Sequence, residues 1–136
     1  MNHRTLRIGE WRIDVFINDN GGRVDFEPVT DCLFNMGASE KALERARKMI
    51  ESDRPNEAFT CTVGTKSCIY IGRTTSGDEF INSLIHELRH LIDHIAKHYG
   101  ITDEETVGYM SGEAAMLLAK DICEHGCPRC GKEENK

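Results

Sequence analysis

The sequence predicts an α+β fold, an antiparallel sheet packed by helices, and three observations carry that prediction. The N-terminal run "TLRIGEWRIDVFI" alternates apolar and polar residues. Two further β-prone runs flank a glycine turn in the middle of the chain. Two long helical patterns occupy the C-terminal half.

The elements follow in order. Leu6 and Ile8 share one face, and Trp11, Ile13, Val15 and Ile17 share another, which predicts two strands joined near Gly9-Glu10. "NDNGG" at 18–22 is a dense turn signal. "RVDFE" alternates Val24 with Phe26 and predicts a third strand, stopped by Pro28, with irregular chain over 30–38. Ser39 is placed to cap a helix, "EKALERARKMIES", whose stripe is Ala42, Leu43, Ala46, Met49 and Ile50. Beyond Pro55, "AFTCTV" and "SCIYIGR" predict two strands around "GTK" at 64–66. "SGDE" at 76–79 has the form of a capping box and opens a helix that runs to Tyr99, with Gly100 as its stop. "TDEE" at 102–105 is a second capping box, opening a helix to about Ile122.

With 136 residues the chain has the size of one domain, expected over 1–122, followed by a cysteine-rich tail over 123–136. A net charge of −6 argues against gripping nucleic-acid phosphates or an anionic membrane. "MNHRTLRIGEWRIDVF" has no apolar h-region and no run is long enough to span a membrane, so the expected compartment is the cytoplasm. In its reducing conditions Cys32, Cys61 and Cys68 are expected to be small core residues.

"HELRH", residues 86–90, carries the chemistry. At about 100° per residue, with His86 at zero, His90 lies at about 40° and Glu87 at about 100°. The aliphatic residues Ile81, Leu84, Ile85, Leu88, Leu91, Ile92 and Ile95 cluster at about 140–260°. The two imidazoles therefore leave the apolar stripe one turn apart and converge on one ion, expected to be zinc. Glu87 is rotated to reach a water on that ion and take its proton. His94 and His98 drift off this line and are expected on the outer face or behind the ligands, rather than as ligands. A third ligand is required. The metzincin pattern would place glycine and histidine where Asp93 and Ala96 stand, which excludes it. The alternatives are glutamates of the following helix: Glu104, Glu105 and Glu113. On a strictly antiparallel return, Glu113 stands nearest to the height of His90. Tyr109, one turn beyond Glu105, is a candidate donor to a developing oxyanion, or a packing tyrosine.

The segment "CIYIGRTTSGDEFINSLIHELRHLIDHIAKHYG", followed by "DEETVGYMSGE", resembles small phage- and prophage-encoded zinc metallopeptidases of the gluzincin, minigluzincin-like type. The resemblance covers residues 68–113, a third of the chain. It implies a zincin-like active-site helix followed by a second, ligand-bearing helix. It implies Glu105 as the third zinc ligand, with Glu113 the fallback. Gly108 departs from it, standing where the pattern has alanine. It also implies that Cys68–Gly72 is an edge strand holding an extended peptide, the alternative being an ordinary strand of the sheet. The function so implied is a zinc-dependent peptidase acting on a peptide or protein substrate, in a bacterial or phage-infected cell. One alternative is a metal-binding structural or regulatory protein of a mobile element, without catalysis. Another is a nucleic-acid module built on the tail, which the acidic charge disfavours. In that tail, "CEHGCPRCG" offers Cys123, His125, Cys127 and Cys130 as a cramped candidate set for a second metal, the alternative being a tail of reduced, oxidation-prone thiols.

Overall fold

The computed structural model describes residues 1–19 and 24–126. Strands β1 (Asn2–Ile8) and β2 (Trp11–Ile17) form an antiparallel hairpin. Gly9 takes the left-handed conformation its tight turn needs, with φ +58°. Helices α1 (Glu27–Met36) and α2 (Glu40–Ser52) follow, then strands β3 (Ala58–Val63) and β4 (Lys66–Ile71). Helix α3 (Gly77–Tyr99) and helix α4 (Glu104–Leu117) come next. A helical turn (Ala119–Asp121) and a π-helical stretch (Ile122–Gly126) end the described chain.

The class is α+β, but the sheet is mixed rather than antiparallel. Its order is β1-β2-β4-β3, and β2 runs parallel to β4, with Val15 opposite Ile69. The reason lies in residues 27–52. The α1–α2 pair carries the chain across the sheet to β3 at the far edge, and the β3–β4 hairpin then lays β4 parallel beside β2. The strand expected at "RVDFE" does not form. Val24 and Phe26 are partly buried beneath the sheet, and Pro28 lies in the first turn of α1. A proline there lacks only an N–H that the helix would not use, so it starts a helix instead of stopping a strand. Residues 30–38 likewise belong largely to α1, which buries Val29 and Leu33, one turn apart.

Three layers result. Trp11, Ile13, Val15, Ile17, Ile69 and Ile71 project from one sheet face onto Leu84, Leu88, Leu91, Ile92 and Ile95 of α3 and Ala114 of α4. Phe16, Cys68 and Tyr70 project from the other onto α1 and α2. Each such aliphatic side chain, fully buried, contributes about 1.5–3 kcal/mol. The caps form largely as the sequence predicts. Ser39 Oγ accepts from Ala42 N, and Ser76 Oγ from Glu79 N at 3.1 Å. Gly100 ends α3 with φ +68°. Helix α4 is capped by Asp103 instead of Thr102, its carboxylate accepting from Thr106 N at 2.8 Å. The π-helical stretch packs on the start of α3, where a Cβ on Gly77 would lie 2.6 Å from the Gly126 carbonyl oxygen.

Candidate functional site

Helix α3 turns its aliphatic stripe to the sheet, so its other side stays accessible. His86 and His90 lie there, both exposed, with Nε2 atoms 3.1 Å apart. Their rings are 4.8 Å apart and nearly perpendicular. Two nitrogens on a tetrahedral zinc, at 2.0–2.1 Å each, stand about 3.3 Å apart. The observed spacing thus fits two ligands of one ion. It also fits a hydrogen bond in which one neutral imidazole donates to the other.

Glu87 is buried at the flank of this pair, against β3. Thr60 Oγ1 donates to Glu87 Oε1 at 2.8 Å and lies 3.3 Å from the Glu87 carbonyl oxygen. One strand period further, Thr62 Oγ1 is 2.7 Å from His94 Nδ1. Thr62 Oγ1 is also 2.7 Å from Ser67 Oγ, which accepts from Trp11 Nε1 at 3.0 Å. Burial, with the charge of His90 beside it, lowers the His94 pKa. Two threonines of one strand thus fix two polar residues of α3. Sequence reading passed over them, although Thr60 and Thr62 are polar residues at period two in a strand, a signal for polar work on a covered face.

Strand β3, which presents these threonines, is the sheet edge. Strand β4, which contains Cys68 to Ile71, is interior, between β2 and β3, so the edge role expected for Cys68–Gly72 falls to β3. Pairing decides this, because β4 has partners on both sides.

The candidates from the second helix are placed differently. Glu104, Glu105, Tyr109 and Glu113 are all exposed, Tyr109 to 74 %. Helix α4 docks through Val107, Met110, Ala114 and Leu117. Glu105 precedes Ala114 by nine residues, which at 100° per residue is about half a turn away from the docked face. Among the described residues, the ligand-type side chains that come together in a group of three are Asp121, Glu124 and His125. None of the three glutamates therefore joins His86 and His90 in such a group.

That other group is already provided with cations. Asp121, 1 % exposed, is paired with Arg4 and accepts from Asn2 Nδ2. Glu124 lies 3.7 Å from Lys120 Nζ. These contacts make it a clamp of the C-terminal turn on β1. His125 packs against Phe80, and its buried Nε2 has no hydrogen-bond partner among the described residues. Cys123 is partly buried and its thiol is free. Cys127 and Cys130, the remaining members of the candidate tail metal set, lie outside the described residues.

No family model, curated protein or solved structure matches the chain. No described helix is long and apolar enough to cross a membrane.

Proposed function

We propose that the protein is a metal-dependent hydrolase of the peptidase type, with zinc held by His86 and His90. The observation that carries this reading is the His86–His90 nitrogen pair at 3.1 Å beside a glutamate that an edge strand holds in place. Glu105 is the third ligand that the family resemblance implies, with Glu113 its fallback. Both are exposed, and neither stands in a group of three with the pair among the described residues. When bound, the zinc would polarise a carbonyl and acidify a water. The chain's own residues would do the rest. Thr60 holds Oε1 of Glu87, and the Glu87 carboxylate would take the proton of such a water and pass it to the leaving amine. The outer edge of β3 offers unpaired backbone groups to an extended peptide, which would lie along the site as an added strand. Tyr109, exposed on α4, would be the donor to the developing oxyanion.

A second reading has an observation of its own. The absence of Glu105 and Glu113 from the histidine pair favours a metal-binding structural or regulatory protein without catalysis.

Elemental analysis of protein purified without added metal, followed by zinc titration after chelation, tests the metal. His86→Ala and His90→Ala should each abolish uptake that the parent protein shows. No zinc as purified and none on titration would refute both readings. Mass-spectrometric scoring of a peptide library separates them. Cleavage that disappears in Glu87→Gln with zinc retained supports the hydrolase, and zinc binding without cleavage supports the second reading.

A further inference from the structure

Strand β3 and helix α2 flank a cleft of about 340 Å³ at the open edge of the sheet. Its walls are Leu33 of α1, Ala42, Ala46 and Met49 of α2, and Phe59 and Cys61 of β3. The lining is mostly apolar, and the volume takes one large aliphatic or aromatic side chain. Arg45 is exposed and lines the same cleft.

The charges of α2 are sorted around this cleft. At about 100° per residue, Lys41, Arg45 and Lys48 fall in one stripe about 60° wide, directly beside the cleft-lining Ala42, Ala46 and Met49. Glu40, Glu44 and Glu51 lie on the far side of that stripe, where Arg47 pairs with Glu44 at 2.8 Å. All three cations of the stripe are exposed, and none is held in an ion pair among the described residues. In a chain of net charge −6 this is a local cationic rail.

The strand supplies the third component. The Glu57 carbonyl accepts from Gly72 N at 2.8 Å, so Glu57 and, by alternation, Phe59, Cys61 and Val63 turn their backbone polar groups to β4. Ala58, Thr60 and Thr62 turn theirs outward, to the side where β3 has no neighbouring strand.

We infer that this cleft docks an acidic extended peptide, whose backbone adds to β3 while one apolar side chain enters the cleft. The inference rests on the proposed role of β3 as the strand that holds substrate, and it names the class of substrate. Side chains of an added strand alternate between the two sheet faces. On β3 itself, Thr60 and Thr62 turn to Glu87 and His94, whereas Phe59 and Cys61 turn to α1 and α2. A peptide laid along this edge therefore presents one residue to the histidine side and the next to the cleft. Residues two places from the apolar anchor share its face and meet the rail of Lys41, Arg45 and Lys48, so carboxylates are favoured there.

The test uses the full chain, kept metal-free by a chelator so that neither zinc nor cleavage contributes. The probe is a fluorescein-labelled peptide of seven residues, with leucine at the centre, aspartate two places to either side and serine elsewhere. Fluorescence anisotropy measures its affinity. Replacing the leucine by serine should weaken binding about tenfold. Replacing both aspartates by lysine should weaken it about as much. The net charge of the chain would favour the lysine peptide, so a preference for aspartate reports the local rail. Methylating the alternate backbone amides that face β3 should abolish binding, and methylating the other set should leave it intact. Ala42→Leu fills the cleft and should remove the preference for leucine, and Arg45→Glu should remove that for aspartate. The absence of saturable binding, equal affinity for the leucine and serine peptides, or indifference to which amides are methylated would overturn the inference. The peptide series on the parent protein supplies these outcomes even where a variant misfolds. Zinc-dependent cleavage without this selectivity would overturn the inference and leave the hydrolase standing. Selective binding without cleavage would do the reverse.

Discussion

Replacing Thr60 by valine isolates the contact that holds Glu87. Valine keeps the β-branch and nearly the volume of threonine, so the strand loses only a hydroxyl. That hydroxyl donates to Glu87 Oε1 at 2.8 Å, and Glu87 is 5 % exposed. Water is therefore poorly placed to replace the donor. A hydrogen bond to a charged group contributes about 1.5–3 kcal/mol. Unfolding entropy of about 2.1 cal/mol/K per residue, over 136 residues, comes to about 0.29 kcal/mol/K. The expected fall in Tm is accordingly about 5–10 °C. Calorimetric melts of Thr60→Val and Thr60→Ser, run with a chelator so that metal does not contribute, measure it. Serine retains the hydroxyl and should recover most of the loss. A double-mutant cycle with Glu87→Leu then assigns the cost to this pair, because valine should cost little once the carboxylate is gone. A melt of Thr60→Val within a degree of the parent, or the same cost in both backgrounds, would show that the contact does not hold Glu87.

Asp14 and Arg4 supply two further predictions. Burial tends to raise the Asp14 carboxyl, but hydrogen bonds from His3 and Thr5 and the charge of Arg12 outweigh it and hold the pKa below its ordinary 3.8. A folded-state value below the unfolded one gives stabilisation that is complete above the unfolded pKa and is lost as pH falls through the folded one. The stability gap between the parent and Asp14→Asn, measured by urea unfolding, should therefore narrow on acidification; a widening gap would contradict this. Arg4→Met leaves Asp121 buried without its cation. The expected cost is about 2–3 kcal/mol, below that of orphaning a wholly buried pair because the Arg4 end is a third exposed. Hydrogen exchange should accelerate at residues 119–126 and leave the sheet protected, whereas uniform acceleration would place the clamp in the global fold.

What the sequence determined by itself is what near neighbours along the chain decide. The β1–β2 hairpin follows from its alternation and from Gly9, and Ser39, Ser76 and Gly100 cap as their chemistry requires. The convergence of His86 and His90 was legible for the same reason, since a four-residue spacing on one helix fixes their separation whatever surrounds it. Local cues misled where they were short. Two alternating residues before Pro28 suggested a strand, although Val29 and Leu33 already had helical spacing.

Only the tertiary structure decided which strands meet, because pairing depends on the route of the intervening chain. The crossover through α1 and α2 set β4 parallel to β2 and left β3 at the edge. That placement brought Thr60 and Thr62 to Glu87 and His94, across 27 and 32 residues of sequence. The orientation of Glu105 was settled in the same way. Within α4 its angle is fixed by its position, but which way that angle points depends on the docking of Val107, Ala114 and Leu117. Helical periodicity fixes residues relative to one another, while packing of the apolar stripe fixes the whole set relative to the site.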